Sequence, residues 1–140
     1  MKKLYLDVDG VVLTKCGEPA LHLMEFLRSA TERFDCHWLT SRCQGDARRV
    51  VDDLIGIVPD EALPYLSELK PTSWRVWKTE AIDFSSDFVW LDDYAFDGER
   101  AMLAEHGAAE RLVLIDLTEN PDRLREIAAE IGKGSGVFSS

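Results

Sequence analysis

Two aspartates one residue apart, Asp7 and Asp9 in the run DVDGVV, are the residues whose type and spacing most directly suggest chemistry. An apolar run leads into them and Gly10 follows, as where a buried strand leaves its sheet for a functional loop. A hard divalent cation such as magnesium prefers oxygen ligands, so a carboxylate here, with backbone carbonyl and water, suits it. The same residues also fit an ordinary Asp-Gly turn. A second segment, WLTSR, ends in Thr40, Ser41 and Arg42, where a hydroxyl and adjacent backbone N–H groups could hold a phosphate oxygen. Its alternative is a cap for the following helix.

Lys78 in SWRVWKTEAI and the acidic run LDDYAFD complete the set. A site crowded with carboxylates and phosphate needs a fixed cation to offset repulsion, and Lys78, with Arg75 as rival, supplies it. Asp92 and Asp93 end an apolar run, and Asp97 follows. Adjacent carboxylates at a strand end favour a cation between or near them, while one of them could instead cap a helix.

These residues need elements to bring them together. Apolar runs predict strands at residues 3–8, 36–41, 88–93 and 111–117. Helical spacing predicts helices at 20–34 after Pro19, 46–55 closed by Gly56, 74–84, 99–105 before Gly107, and 121–131. Residues 57–73 carry Pro59, Pro64 and Pro71 and are expected to be mostly irregular, with at most a short strand at 63–66. Strands alternating with helices predict an α/β fold, a mostly parallel Rossmann-like sheet covered on both faces, with ligands beyond the carboxyl ends of the strands. Residues 1–132 form one expected domain and 133–140 a flexible tail.

The chain has 140 residues, 46% hydrophobic, with 26 Asp and Glu against 16 Lys and Arg and a formal charge of -10. That balance argues against a general nucleic-acid surface or an anionic membrane partner. Asp7 and Asp9 interrupt the first apolar run too early for a signal peptide, and no stretch approaches a membrane span. Cys16, Cys36 and Cys43 show neither paired nor zinc-site spacing, which fits a reduced, cytoplasmic protein. The four tryptophans are expected in the core or in pocket walls.

Taken in order, DVDGVV, WLTSR, the Lys78 segment and VWLDD resemble the four signature motifs of the haloacid dehalogenase-like (HAD) superfamily, over residues 4–97. DVDGVV, WLT, WKTEA and VWLDD also look like the small HAD domains associated with RNA-repair proteins. The resemblance implies a magnesium-dependent phosphatase with Asp7 as nucleophile, Asp9 as general acid/base and Thr40 as the phosphate-holding hydroxyl. Ser41 and Arg42 would join Thr40 and Lys78 in substrate binding, Lys78 also neutralising Asp7. Asp92 or Asp93 would bind magnesium with Asp7 and the Asp9 backbone carbonyl. Against the commonest motif form, Asp92 stands where a glycine is usual, so the choice among Asp92, Asp93 and Asp97 stays open.

The implied partner is a phosphorylated small molecule or nucleic-acid end. Asp9 argues against carbon–halogen cleavage, because a halide leaving group requires no general acid. A receiver-like phospho-acceptor uses similar residues but carries its acceptor aspartate on a middle strand, whereas DVDG is on the first. A non-catalytic binding module of the same fold is the remaining alternative. Little chain is available for a lid between Asp9 and Thr40 or between Ser41 and Lys78, so an open site is expected.

Overall fold

In a computed structural model, which describes residues 1–139, β1 (Lys3–Leu6) lies inside a sheet ordered β2-β1-β3-β4 and parallel throughout. The other strands are β2 (Asp35–Trp38), β3 (Phe88–Asp92) and β4 (Leu112–Leu114). Five α-helices are described: α1 (Leu23–Arg33), α2 (Ala47–Leu54), α3 (Leu63–Leu66), α4 (Asp97–Glu105) and α5 (Arg123–Lys133).

Side-chain alternation divides the core into two layers. Leu4, Leu6, Cys36, Trp38, Val89 and Leu91 point to one face, which meets Phe26 and Leu27 of α1, Val50 and Leu54 of α2, Leu66 of α3, and Leu124 and Ile127 of α5. Tyr5, Phe88 and Trp90 point to the other, against Leu103 of α4 and Ile82. Helices on both faces of a parallel sheet give the three-layer, Rossmann-like α/β fold expected from the alternation. Between β1 and β2 the chain goes one way and between β1 and β3 the other, so the strand order reverses beside β1. The crevice beyond the carboxyl ends of β1 and β3 is the ligand position such a sheet offers.

Several sequence expectations shift for local reasons. The first helix begins at Leu23 rather than 20, because Pro19 forms a bridge with Leu13 and His22 takes a left-handed conformation (φ 64°). Residues 63–66 form a helical turn, not a strand, with Pro64 in its first turn, where a missing N–H costs nothing. The helix expected at 74–84 shrinks to one 3₁₀ turn, Lys78–Ala81. Glu80 causes this by accepting the backbone N–H groups of Arg75, Val76 and Trp77, which offers that segment an alternative to helix. The segment read as a flexible tail is in contact with the core. Phe138 is buried edge-on against Phe34 (6.3 Å), and Lys2 Nζ donates to the carbonyls of Val137 (2.5 Å) and Ser139 (2.9 Å). Ser140, also in that expected tail, lies outside the described residues.

The chain from Asp9 to Thr40 and from Ser41 to Lys78 is occupied by α1, β2, α2, α3 and short turns, with no inserted domain among the described residues. None of the described helices is long and apolar enough to cross a membrane.

A carboxylate and lysine cluster at the strand ends

The pairing Leu6↔Leu91 places the next residues, Asp7 and Asp92, side by side at the ends of two neighbouring parallel strands. Parity sets their direction. Asp7 follows Tyr5 and Asp92 follows Trp90 by two, so both carboxylates share the face on which the Lys78 turn lies. Lys78 Nζ stands between them, 3.2 Å from Asp7 Oδ2 and 2.7 Å from Asp92 Oδ2. Only 15% of the Lys78 side chain is exposed, 10% of Asp7 and 1% of Asp92, so water does little to screen this group.

Asp92 is held from several sides. Its Oδ2 also accepts from the buried Trp90 Nε1 at 3.1 Å, and its Oδ1 accepts from the backbone N–H groups of Asp93 (2.8 Å) and Tyr94 (3.4 Å). Burial and then Asp7 nevertheless push its carboxyl up, to about 8, against the pull of Lys78. Burial works against the charge of Lys78, but Asp7 and Asp92 outweigh it and its pKa is raised. With both carboxylates ionised, the pair carries more negative charge than one lysine balances.

Asp93 joins Asp7 and Asp92 in a trio that can each offer one carboxylate oxygen within 4.8 Å of the others. Its approach depends on Gly10, which has φ +87°, and a Cβ there would collide with the Asp93 carboxylate. Three oxygen donors around an under-neutralised hollow match what a hard divalent cation such as magnesium takes. Asp97, the weaker sequence candidate, is exposed at the first turn of α4 and is not in the trio.

The alternative readings of these residues can now be weighed. Asp46, not Thr40, caps α2, accepting from the N–H groups of Arg48 and Arg49. Thr40 is fully buried just beyond β2, and its Oγ1 accepts from Arg42 N–H at 3.3 Å. Ser41 is exposed beside it. None of the three aspartates caps α4, whose cap residue is Phe96. Arg75 is exposed, while Lys78 reaches the carboxylates.

Asp9 does not join this cluster through its side chain. Arg42 donates from Nε to Asp9 Oδ2 (3.0 Å) and from Nη2 to Asp9 Oδ1 (2.9 Å), and its Nη1 donates to Asp53 Oδ2 at 3.2 Å. The guanidinium holds the Asp9 carboxyl below its usual range.

Glu99 is a residue the sequence reading missed. Buried on α4, it accepts from Lys78 N–H (Oε2, 2.8 Å) and from Phe96 N–H (Oε1, 2.9 Å), clamping the Lys78 turn to the loop after β3. Gly98 beside it lets Trp77 pack close, since a Cβ there would lie 2.6 Å from the indole ring. A glutamate at the third position of α4, reaching back to the Phe96 N–H, was the available signal, but its second partner, the Lys78 N–H, is one a sequence does not single out.

A hollow of about 480 Å³ is at the opposite end of the sheet and is lined in part by Phe34, Ile131 and Phe138. Beside Asp93 a smaller one of about 40 Å³ touches Gly10, Lys15, Asp116 and Thr118. No protein-family profile, curated protein or solved structure matches the chain.

Proposed function

We propose that this chain is a magnesium-dependent phosphomonoester hydrolase of the HAD kind, with Asp7 as nucleophile and Asp9 as general acid/base. The observation that carries the reading is Lys78 Nζ seated between the buried carboxylates of Asp7 and Asp92, with Asp93 alongside. A carboxylate nucleophile with a fixed cation against it, next to two further carboxylates, suits attack on a phosphoryl group better than attack on a neutral centre.

Asp7, Asp92 and Asp93 would hold magnesium, which when bound offsets the negative charge that nucleophile and phosphate bring together. Asp7 Oδ2 attacks phosphorus and the bond to the leaving oxygen breaks, giving an aspartyl-phosphate on Asp7. Asp9, once it is clear of Arg42 and has taken a proton from solvent, gives that proton to the leaving oxygen, then takes the proton of the water that hydrolyses the intermediate and restores Asp7. Asp7 Oδ1 accepts from Val8 N–H at 2.8 Å, which fixes the carboxylate and leaves Oδ2 for attack. Thr40 and the Ser41 N–H that follows it, with Lys78, hold the phosphoryl oxygens.

With no inserted domain in the connections beside the site, the reading extends to a terminal phosphate on a small molecule or on a larger body, a nucleic-acid end included, within a reduced cytoplasmic setting. The test is hydrolysis of p-nitrophenyl phosphate with and without magnesium. Wild type should turn over only with the metal, and Asp7→Asn should lose turnover while keeping its fold by circular dichroism. A variant near the wild-type rate would remove Asp7 from the nucleophile role.

A further inference from the structure

All three guanidinium nitrogens of Arg42 donate to a carboxylate. One edge of its guanidinium fork is filled by both oxygens of Asp9, and its remaining terminal nitrogen reaches Asp53 on α2. In that arrangement the Nε–Nη2 edge of the fork is closed to an incoming anion, and both Asp9 oxygens are held by the arginine. Yet Arg42 stands two residues beyond Thr40, whose hydroxyl accepts from the Arg42 N–H, so the guanidinium is anchored beside the segment expected to hold phosphate.

The depth of the pair matters. The side chain of Asp9 is 59% exposed and that of Arg42 31%, in contrast to the nearly closed Lys78 group. An exposed ion pair contributes little and is readily exchanged. A phosphoryl group offers the same two-oxygen geometry to the fork as a carboxylate and carries more charge.

We propose that Arg42 is a latch operated by phosphate. In the free protein it clasps Asp9. When a phosphoryl group enters, the fork passes from Asp9 to two phosphoryl oxygens, and Asp9 is freed to face the leaving oxygen only once a substrate is present. The Nη1 contact with Asp53 keeps the arginine tethered to α2 through the exchange. Arg42 thereby couples substrate binding to the release of the acid. This rests on the phosphohydrolase reading given above.

The experiment is a double-mutant cycle on the affinity for inorganic phosphate, measured by calorimetry with magnesium present, for wild type, Asp9→Asn, Arg42→Met and the double variant. With a latch, Asp9→Asn frees the fork and tightens phosphate by about tenfold when Arg42 is present, and by less than about twofold when it is absent. Plain electrostatics gives the opposite order, because an Asp9 charge without Arg42 repels phosphate more strongly. Equal or larger tightening in the Arg42→Met background overturns the latch. Arg42→Lys, which keeps the charge without the fork, should follow Arg42→Met and guards against misfolding of the latter. Wild type that hydrolyses p-nitrophenyl phosphate while the cycle shows no coupling removes the latch alone. Wild type that neither hydrolyses nor binds phosphate removes the phosphohydrolase reading with it.

Discussion

Lys78 and Arg42 each stand between two carboxylates at the same edge of the sheet, Lys78 between Asp7 and Asp92 and Arg42 between Asp9 and Asp53, but at very different depths. The Lys78 group is built from strand ends and a turn clamped by Glu99, and little of it meets water. The Arg42 group is built from side chains reaching across loops and a helix, with exposures of 31–59%. Breaking a buried charge pair costs about 3–5 kcal/mol, whereas an exposed pair is worth about 0–1 kcal/mol. One cluster is therefore fixed charge, suited to holding a nucleophile and metal ready. The other is exchangeable charge, suited to a group that must change partners during a reaction.

The comparison breaks most visibly at Lys78. Lys78→Met leaves Asp7 and Asp92 facing each other without a cation, and kcat/KM should fall by about 10²–10³. Arg75→Met should cost no more than a few-fold, because Arg75 is exposed and its backbone, not its guanidinium, is the part engaged with Glu80. Kinetics on p-nitrophenyl phosphate check both, and a reversed order would transfer the cation role to Arg75.

Glu99→Gln tests whether the buried cluster is rigid because its turn is clamped. An amide in place of the carboxylate presents N–H to a backbone N–H that it must now face, so about 1–3 kcal/mol of stability should be lost. Activity should fall by about tenfold through displacement of Lys78. Denaturant unfolding alongside kinetics separates the two effects, and a variant with full stability and activity would show that the clamp is dispensable.

The buried site should also respond to pH through Asp92. Its carboxyl is raised to about 8, so the proton and the metal compete for it below that value. Magnesium affinity, read from activity titrations between pH 6 and 9, should weaken as pH falls below about 8 and level off above it. The sign for folding is opposite. A carboxyl raised in the folded protein favours the protonated form there, so this group costs the metal-free protein stability as pH rises from the ordinary carboxylate range toward 8. At fixed pH, Asp93→Asn should weaken magnesium more than Asp97→Asn, since Asp93 is in the carboxylate trio and Asp97 is not.

The buried half of this comparison was largely legible in the sequence. Asp7, Asp92 and Asp93 stand at the ends of apolar runs, and a parallel sheet brings such ends to one edge whatever the connecting helices do. The exposed half was not. Arg42 and Asp9 are 33 residues apart, and no periodicity or turn chemistry pairs them. Lys78 was placed on a helix that the structure reduces to a 3₁₀ turn, because the Glu80 carboxylate captures the N–H groups that a helix would have used. Glu99 escaped notice because its longer-range partner is the backbone N–H of Lys78 in another turn. Phe138 escaped because nothing in GKGSGVFSS announces that one aromatic reaches Phe34.

The central claim is that Asp7 carries the phosphoryl group during turnover. Wild-type protein turning over p-nitrophenyl phosphate with magnesium can be quenched and treated with borohydride, which reduces an acyl phosphate to the alcohol, and the peptide spanning residue 7 then read by mass spectrometry. Conversion of Asp7 to homoserine, absent without substrate, is the expected result. Sustained turnover with Asp7 unmodified, or with homoserine at another carboxylate, would contradict the claim.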